Sequence, residues 1–303
     1  MAFTAKDVQA LREKTGCGMM DCKKALVECN GDMDAATDYL REKGLASQAK
    51  KASRVAAEGT VCAIAKNGVG AVVELNAETD FVANGDGFKA LAAKIADIVA
   101  EKNPADLDAL LKTEKDGQTV EAMVQELFLA VRENIQVRRF ARYEGKVVTY
   151  VHAGGKIGVM VNFETELDEN NADFVAMGKN IAMQIAAMNP SYLDSASVPA
   201  EVLDKEKEIL IAQMKEDPKM ANTPDAVLGK IVEGKIGKYY KENCLVEQQF
   251  VVDGELTVGK YVEKTAKELG ADIKIKEFVR FEKGEGIEKR VDDFASEVAS
   301  MIK

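Results

Sequence analysis

A single histidine, His152, stands in 303 residues. That scarcity removes most general acid–base and metal-hydrolysis schemes, which lean on imidazole near neutral pH. No His-x-x-x-His pair and no nucleophile elbow compensates for it. Cysteine is sparse as well, and its count of five is odd. Cys17, Cys22 and Cys29 cluster, yet the spacing fits no usual zinc motif, so reduced thiols in a cytosolic protein are expected. Positive charge is in deficit. The formal net charge of −10 argues against nucleic acid as the main partner, because phosphates demand Lys and Arg. No apolar run nears the ~20 residues of a membrane span. The chain opens Met-Ala-Phe-Thr without the charged and apolar regions of a signal peptide, so a reducing cytoplasm is expected, with an organelle after processing as the lesser alternative. What remains is ordinary for a globular protein, with 47% hydrophobic and 30% charged residues, and long enough for two or more domains.

The chain repeats itself. Glu58-Gly59-Thr60-Val61 returns as Glu144-Gly145-Lys146-Val147, and Phe88, Ile95 and Asn103-Pro104 return as Phe174, Ile181 and Asn189-Pro190, all 86 positions on. Thr119-Val120, Ile135, Phe140, Arg142 and Glu144 recur as Thr257-Val258, Ile273, Phe278, Arg280 and Glu282, now 138 positions on. The offset grows inside the second copy, which therefore carries an insertion. Each copy predicts a hairpin, two helices and a closing strand. Strands over 61–65 and 69–75 flank Asn67-Gly68, a strong tight-turn pair. Strands over 147–152 and 157–163 flank Ala153-Gly154-Gly155-Lys156. Phe88, Leu91, Ile95 and Val99, and later Phe174, Met177, Ile181 and Ile185, recur at helical spacing and are core candidates.

Before residue 55 the sequence predicts three short helices. Thr4 with Asp7 resembles a capping box, Gly16-Cys17-Gly18 makes a turn, and Asp32 caps a third helix that Gly44 should stop. Residues 47–53 read as a tether. The expected class is α+β. It comprises a three-helix bundle over 1–54, a first core subdomain over 55–143 and a second over 144–286. A helical hairpin is inserted at about 192–243, and a C-terminal helix occupies 287–303. Each subdomain should be a small antiparallel sheet with helices on one face. The hairpin, with little core of its own, should project toward a partner or another copy.

Two motif matches are decoys. Gly229 to Lys235 copies a phosphate loop up to its lysine, but Ile236 replaces the magnesium-binding hydroxyl and no strand precedes it. Gly16-x-Gly18 lacks the third glycine of a dinucleotide fingerprint. Glu164, Glu166, Asp168 and Glu169 lie in a polar loop and read as a solvated acidic turn. No cofactor is implied. Better signals come from apolar side chains in polar settings. Met19-Met20 sits at a turn and helix start, where adaptable contact and half-burial are both open. Thr79-Asp80-Phe81-Val82-Ala83-Asn84 places an aromatic where a polar turn should follow the strand. On residue type alone that ring would fold inward. The equivalent loop, Glu166 to Asn171, has no aromatic, which points to a projecting contact.

Two stretches carry a family resemblance. Leu11-Arg12-Glu13-Lys14-Thr15-Gly16-Cys17-Gly18-Met19-Met20-Asp21-Cys22-Lys23-Lys24-Ala25-Leu26 resembles the N-terminal signature of the elongation factor Ts family. Glu74-Leu75-Asn76-Ala77-Glu78-Thr79-Asp80-Phe81-Val82-Ala83 resembles its second signature. The resemblance spans the whole chain and implies that the N-terminal bundle is UBA-like and that the protein is a guanine-nucleotide exchange factor that binds elongation factor Tu and breaks no covalent bond. It further implies that Met19, Met20 and Lys23 contact the G domain of Tu. Asp80 and Phe81, flanked by Thr79 and Val82, would form a wedge near its magnesium and phosphate site. The second subdomain would face the third domain of Tu, and the helical hairpin offers a possible homodimer contact. Two readings compete with this one: a binding adaptor without effect on nucleotide, and a small-molecule enzyme on the α+β core.

Overall fold

A computed structural model describes residues 3–216 and 223–288. The C-terminal helix expected over 287–303 lies, beyond Glu288, outside the described residues.

The chain begins with α1 (Ala5–Thr15), α2 (Met19–Glu28) and α3 (Met33–Lys51). Thr4 closes a reciprocal capping box: its N–H donates to Asp7 Oδ2 at 2.6 Å and its hydroxyl accepts from the Asp7 N–H. The Thr4 N–H, and the Thr4 hydroxyl 2.8 Å from the same Oδ2, favour the carboxylate and hold the Asp7 pKa below its ordinary value. Val8, Leu11, Cys22, Leu26 and Leu40 face one another at the centre. Gly44 does not stop α3. The helix runs on to Lys51, so most of the expected tether is helical. The alanines, glutamine and lysines of that stretch are good helix formers. Gly44 is instead a point of close approach: a Cβ there would lie 2.1 Å from Leu129 Cδ2. Phe128 and Leu129 belong to the same buried cluster as the three helices, so the bundle shares its core with the segment beyond.

Three strands follow: β1 (Glu58–Lys66), β2 (Val69–Ala77) and, later, a third. Asn67 and Gly68 both adopt positive φ (52° and 72°), as a two-residue turn with right-handed strand twist requires. Next come α4 (Asp80–Asn84), α5 (Asp86–Lys102), α6 (Leu107–Lys112), a ribbon of β3 (Glu114–Lys115) and β4 (Gln118–Thr119), and α7 (Val120–Val131). Strand β5 (Gln136–Glu144) then closes the antiparallel sheet β1-β2-β5. The second copy supplies β6 (Lys146–His152), β7 (Ile157–Glu164), α8 (Ala172–Met188), α9 (Ala200–Glu216), α10 (Asp225–Asn243), α11 (Val258–Leu269) and β8 (Lys274–Glu282), with the antiparallel sheet β6-β7-β8. The fold is α+β.

Strand alternation explains the layering. Val73 and Leu75 of β2 join Phe88, Ile95 and Val99 of α5 in one core. Val159, Val161 and Phe163 of β7 join Phe174, Ile181 and Ile185 of α8 in another. The opposite faces meet each other through Val61, Val72, Met160 and Phe281. Glycines make this sheet-to-sheet contact close. A Cβ on Gly70 would lie 2.3 Å from Val147 Cγ1, and one on Gly158 would lie 2.4 Å from Val61 Cγ1. The inserted hairpin has more core than expected: α9 and α10 bury Met214, Leu228, Val232 and Ile236 between them. The segment 229–235 that mimics a phosphate loop lies inside α10, where helical hydrogen bonds occupy its amides.

Candidate partner-contact surface

Strand β2 delivers the chain to Ala77, which is buried, and the next residues form a short helix rather than an open turn. Thr79 is its N-cap, the hydroxyl accepting from the Val82 N–H at 3.4 Å. Ala83 is buried against the core and Val82 packs partly on it, while Asp80 and Asn84 face solvent. Phe81 is 86% exposed. A five-residue helix has too few hydrogen bonds to hold its own shape. Its anchor is Glu133, whose carboxylate accepts from the Thr79 N–H at 2.9 Å and from the Thr79 hydroxyl at 2.7 Å. Beside it, Glu78 accepts from the Asn134 N–H at 2.7 Å and from Arg54 at 3.3 Å. An aromatic ring is thus held in water on a braced turn, at a cost in unburied apolar area that the fold itself does not recover.

The equivalent loop between β7 and α8 has no helix and no exposed aromatic. Its Asn171 caps α8 directly through the Asp173 and Phe174 N–H groups.

On the bundle, Gly18 opens α2 and leaves Met19 and Met20 on the surface, 43% and 73% exposed. Lys23 is exposed as well. Val27, 54% exposed, lies seven residues after Met20 on the same helical face. Met20 and Val27 therefore make an apolar stripe with Lys23 beside it. Sequence reasoning named Met19, Met20 and Lys23 but missed Val27, which the i, i+7 spacing could have found. Glu133 and Asn134 were missed too, and no local pattern marks them.

Among the described residues, catalytic groups do not converge. His152 ends β6, and its Nδ1 lies 2.9 Å from the Tyr150 hydroxyl on an exposed strand end. Among the described residues, no group of three or more His, Cys, Asp or Glu side chains could hold a metal ion. The open cleft between α3 and α7, about 380 Å³, is lined by side chains such as Lys14, Thr37, Arg41 and Gln118 and by no Cys or His. All five cysteines are unbridged. Burial and neighbouring carboxylates push the Cys244 thiol up to about 11. Among the described residues no helix is long and apolar enough to cross a membrane.

A sequence model of the family described as Elongation factor TS matches residues 78–285, from the base of the Phe81 turn to the end of the last sheet. The chain belongs to the elongation factor Ts family. It is 47% identical to the elongation factor Ts of Syntrophotalea carbinolica, with the whole of both chains covered. Identity is also 47% with the elongation factor Ts of Clostridium perfringens over 99% of each chain. The Clostridium tetani elongation factor Ts is 48% identical over 99% of this chain and all of its own. The bundle with Met19, Met20 and Lys23 falls within these full-length alignments. As an elongation factor Ts family member, the chain is a translation elongation factor.

Proposed function

We propose that this family member binds elongation factor Tu in the cytoplasm and promotes GDP release, with Asp80 and Phe81 as the wedge. The observation that carries this reading is the 86% exposed Phe81 ring on a turn braced by Glu133. Phe81 enters an apolar slot of the G domain, and the Asp80 carboxylate disturbs the grip of magnesium on the phosphates. Met19, Met20 and Lys23 supply a second contact with the G domain, the Thr79 cap and Val82 support the wedge, and the second subdomain meets the third domain of Tu. No covalent bond changes in this reading.

Magnitudes apportion the work. Accelerating release ~10⁴-fold requires about 5.5 kcal/mol of barrier lowering. One buried phenylalanine contributes ~1.5–3 kcal/mol. The remainder falls to Asp80 and to the broader interface. By linkage, nucleotide with magnesium weakens binding of this factor in the same measure, so it leaves once GTP is loaded.

Release of fluorescent GDP from Tu, with and without this protein, tests the proposal. Phe81→Ala should slow catalysed release at least ~10-fold, the factor that ~1.5 kcal/mol of lost contact gives. Its unfolding midpoint should stay at the wild-type value, because the ring makes little contact within its own chain. Release at the wild-type rate by Phe81→Ala removes the wedge. Capture of Tu with an unchanged GDP off-rate favours the adaptor reading.

A further inference from the structure

Three consecutive residues between α7 and β5 hold three different parts of the molecule. Arg132 ends α7 in the left-handed region, with φ of 61°. Its guanidinium reaches Asp21 Oδ2 on α2 at 2.7 Å, and its carbonyl accepts from Lys51 at the end of α3. Glu133 grips Thr79 through both carboxylate oxygens. Asn134 is buried; its side-chain amide donates to the carbonyls of Arg54 at 2.8 Å and Ala52 at 3.3 Å, and its N–H donates to Glu78. One corner therefore binds the bundle, the turn that carries Phe81, and the chain that joins them.

We infer that residues 132–134 are a positioning element that fixes the α2 face and the Phe81 tip in a single register, with Glu133 aiming the tip. The inference rests on the exchange reading above and deepens it. A left-handed arginine is strained, by ~1–2 kcal/mol, and persists only where its surroundings hold it. The Asp21 and Lys51 contacts do so here. An exposed ion pair such as Asp21–Arg132 adds little to global stability, so its geometry is better understood as alignment than as glue. Two contact faces held rigidly lose less ordering entropy on binding than two that move independently. Displacing a functional group by about 1 Å is enough to lose most of its effect. Glu133 acts through Thr79, which it holds with both carboxylate oxygens, on Phe81.

The test uses the full chain and fluorescent-GDP release from Tu across a range of factor concentrations. Glu133→Ala should lower the maximal release rate roughly tenfold, while the half-saturating concentration moves by less than about twofold, since the α2 face still binds. Placed on a Phe81→Ala background, the same change should add less than about twofold, because Glu133 works through that ring. Arg132→Asp should instead raise the half-saturating concentration about fivefold with the maximal rate kept. Adding Asp21→Arg should restore it. Should Glu133→Ala unfold the turn, Glu133→Gln, which retains one acceptor toward Thr79, must show an intermediate loss. A wild-type maximal rate in Glu133→Gln and Glu133→Ala overturns the inference while leaving a defective Phe81→Ala, and with it the wedge, intact. An undiminished tenfold effect of Glu133→Ala on the Phe81→Ala background overturns it too.

Discussion

Replacing Gly44 with alanine sets two effects of opposite sign against each other. In an open helix the change stabilises by ~0.8–1.0 kcal/mol, because glycine leaves the unfolded chain more freedom to lose. Gly44 is buried in the interior of α3, and there a Cβ would lie 2.1 Å from Leu129 Cδ2 and 3.1 Å from Leu129 Cγ. Leu129 is itself 7% exposed and packed in the cluster with Phe128 and Leu40, so it cannot simply swing into solvent. Forcing a methyl into such packing costs ~1–3 kcal/mol. The difference leaves Gly44→Ala neutral to about 2 kcal/mol less stable. Gly44→Val should be worse, since it gives up most of the propensity gain and adds further volume. Urea unfolding followed by circular dichroism reads both. Leu129→Ala in the Gly44→Ala background should cost less than the two changes summed, because the clash partner is gone. A Gly44→Ala protein stabilised by the full ~1 kcal/mol refutes the reasoning, for it would mean that α3 is not seated on α7.

Gly158→Val should destabilise by ~1–3 kcal/mol, because the new side chain meets Val61 and Val72 across the sheet-to-sheet contact; an unchanged urea midpoint would show that the sheets can part freely. The buried Cys244 thiol makes stability fall in alkali. Its folded pKa of about 11 exceeds the ordinary 9.0, so the unfolded chain ionises first and stability drops as pH rises from about 9, levelling beyond about 11. Cys244→Ala should flatten the part of the slope that wild type shows in that window, and an identical slope in both proteins refutes the assignment.

Much of this molecule could be read from its chain wherever the signal was local. Asn67-Gly68 announces a hairpin by turn chemistry alone, and Phe88, Ile95 and Val99 announce a helix by spacing. The oddity of Phe81 was legible because the chain contains its own control, the loop from Glu166 to Asn171. What escaped was set by partners distant in sequence. Gly44 looks like a helix stop until Leu129, on another helix, is brought beside it. Gly70 and Gly158 look like weak points in strands until Val147 and Val61 arrive across the interface. Glu133 and Asn134 carry no pattern at all, since Thr79, Glu78 and Arg54 reach them only through the tertiary fold. The α4 turn was hidden for a different reason: five residues are too few for periodicity to register.

The two sheets back onto each other through matched glycines and valines, Gly70 against Val147 and Gly158 against Val61, while only one of the two corresponding tips bears a ring. A body of that kind has a front and a back despite its balanced skeleton. Rotating it end for end would present the blunt corner in place of the ring.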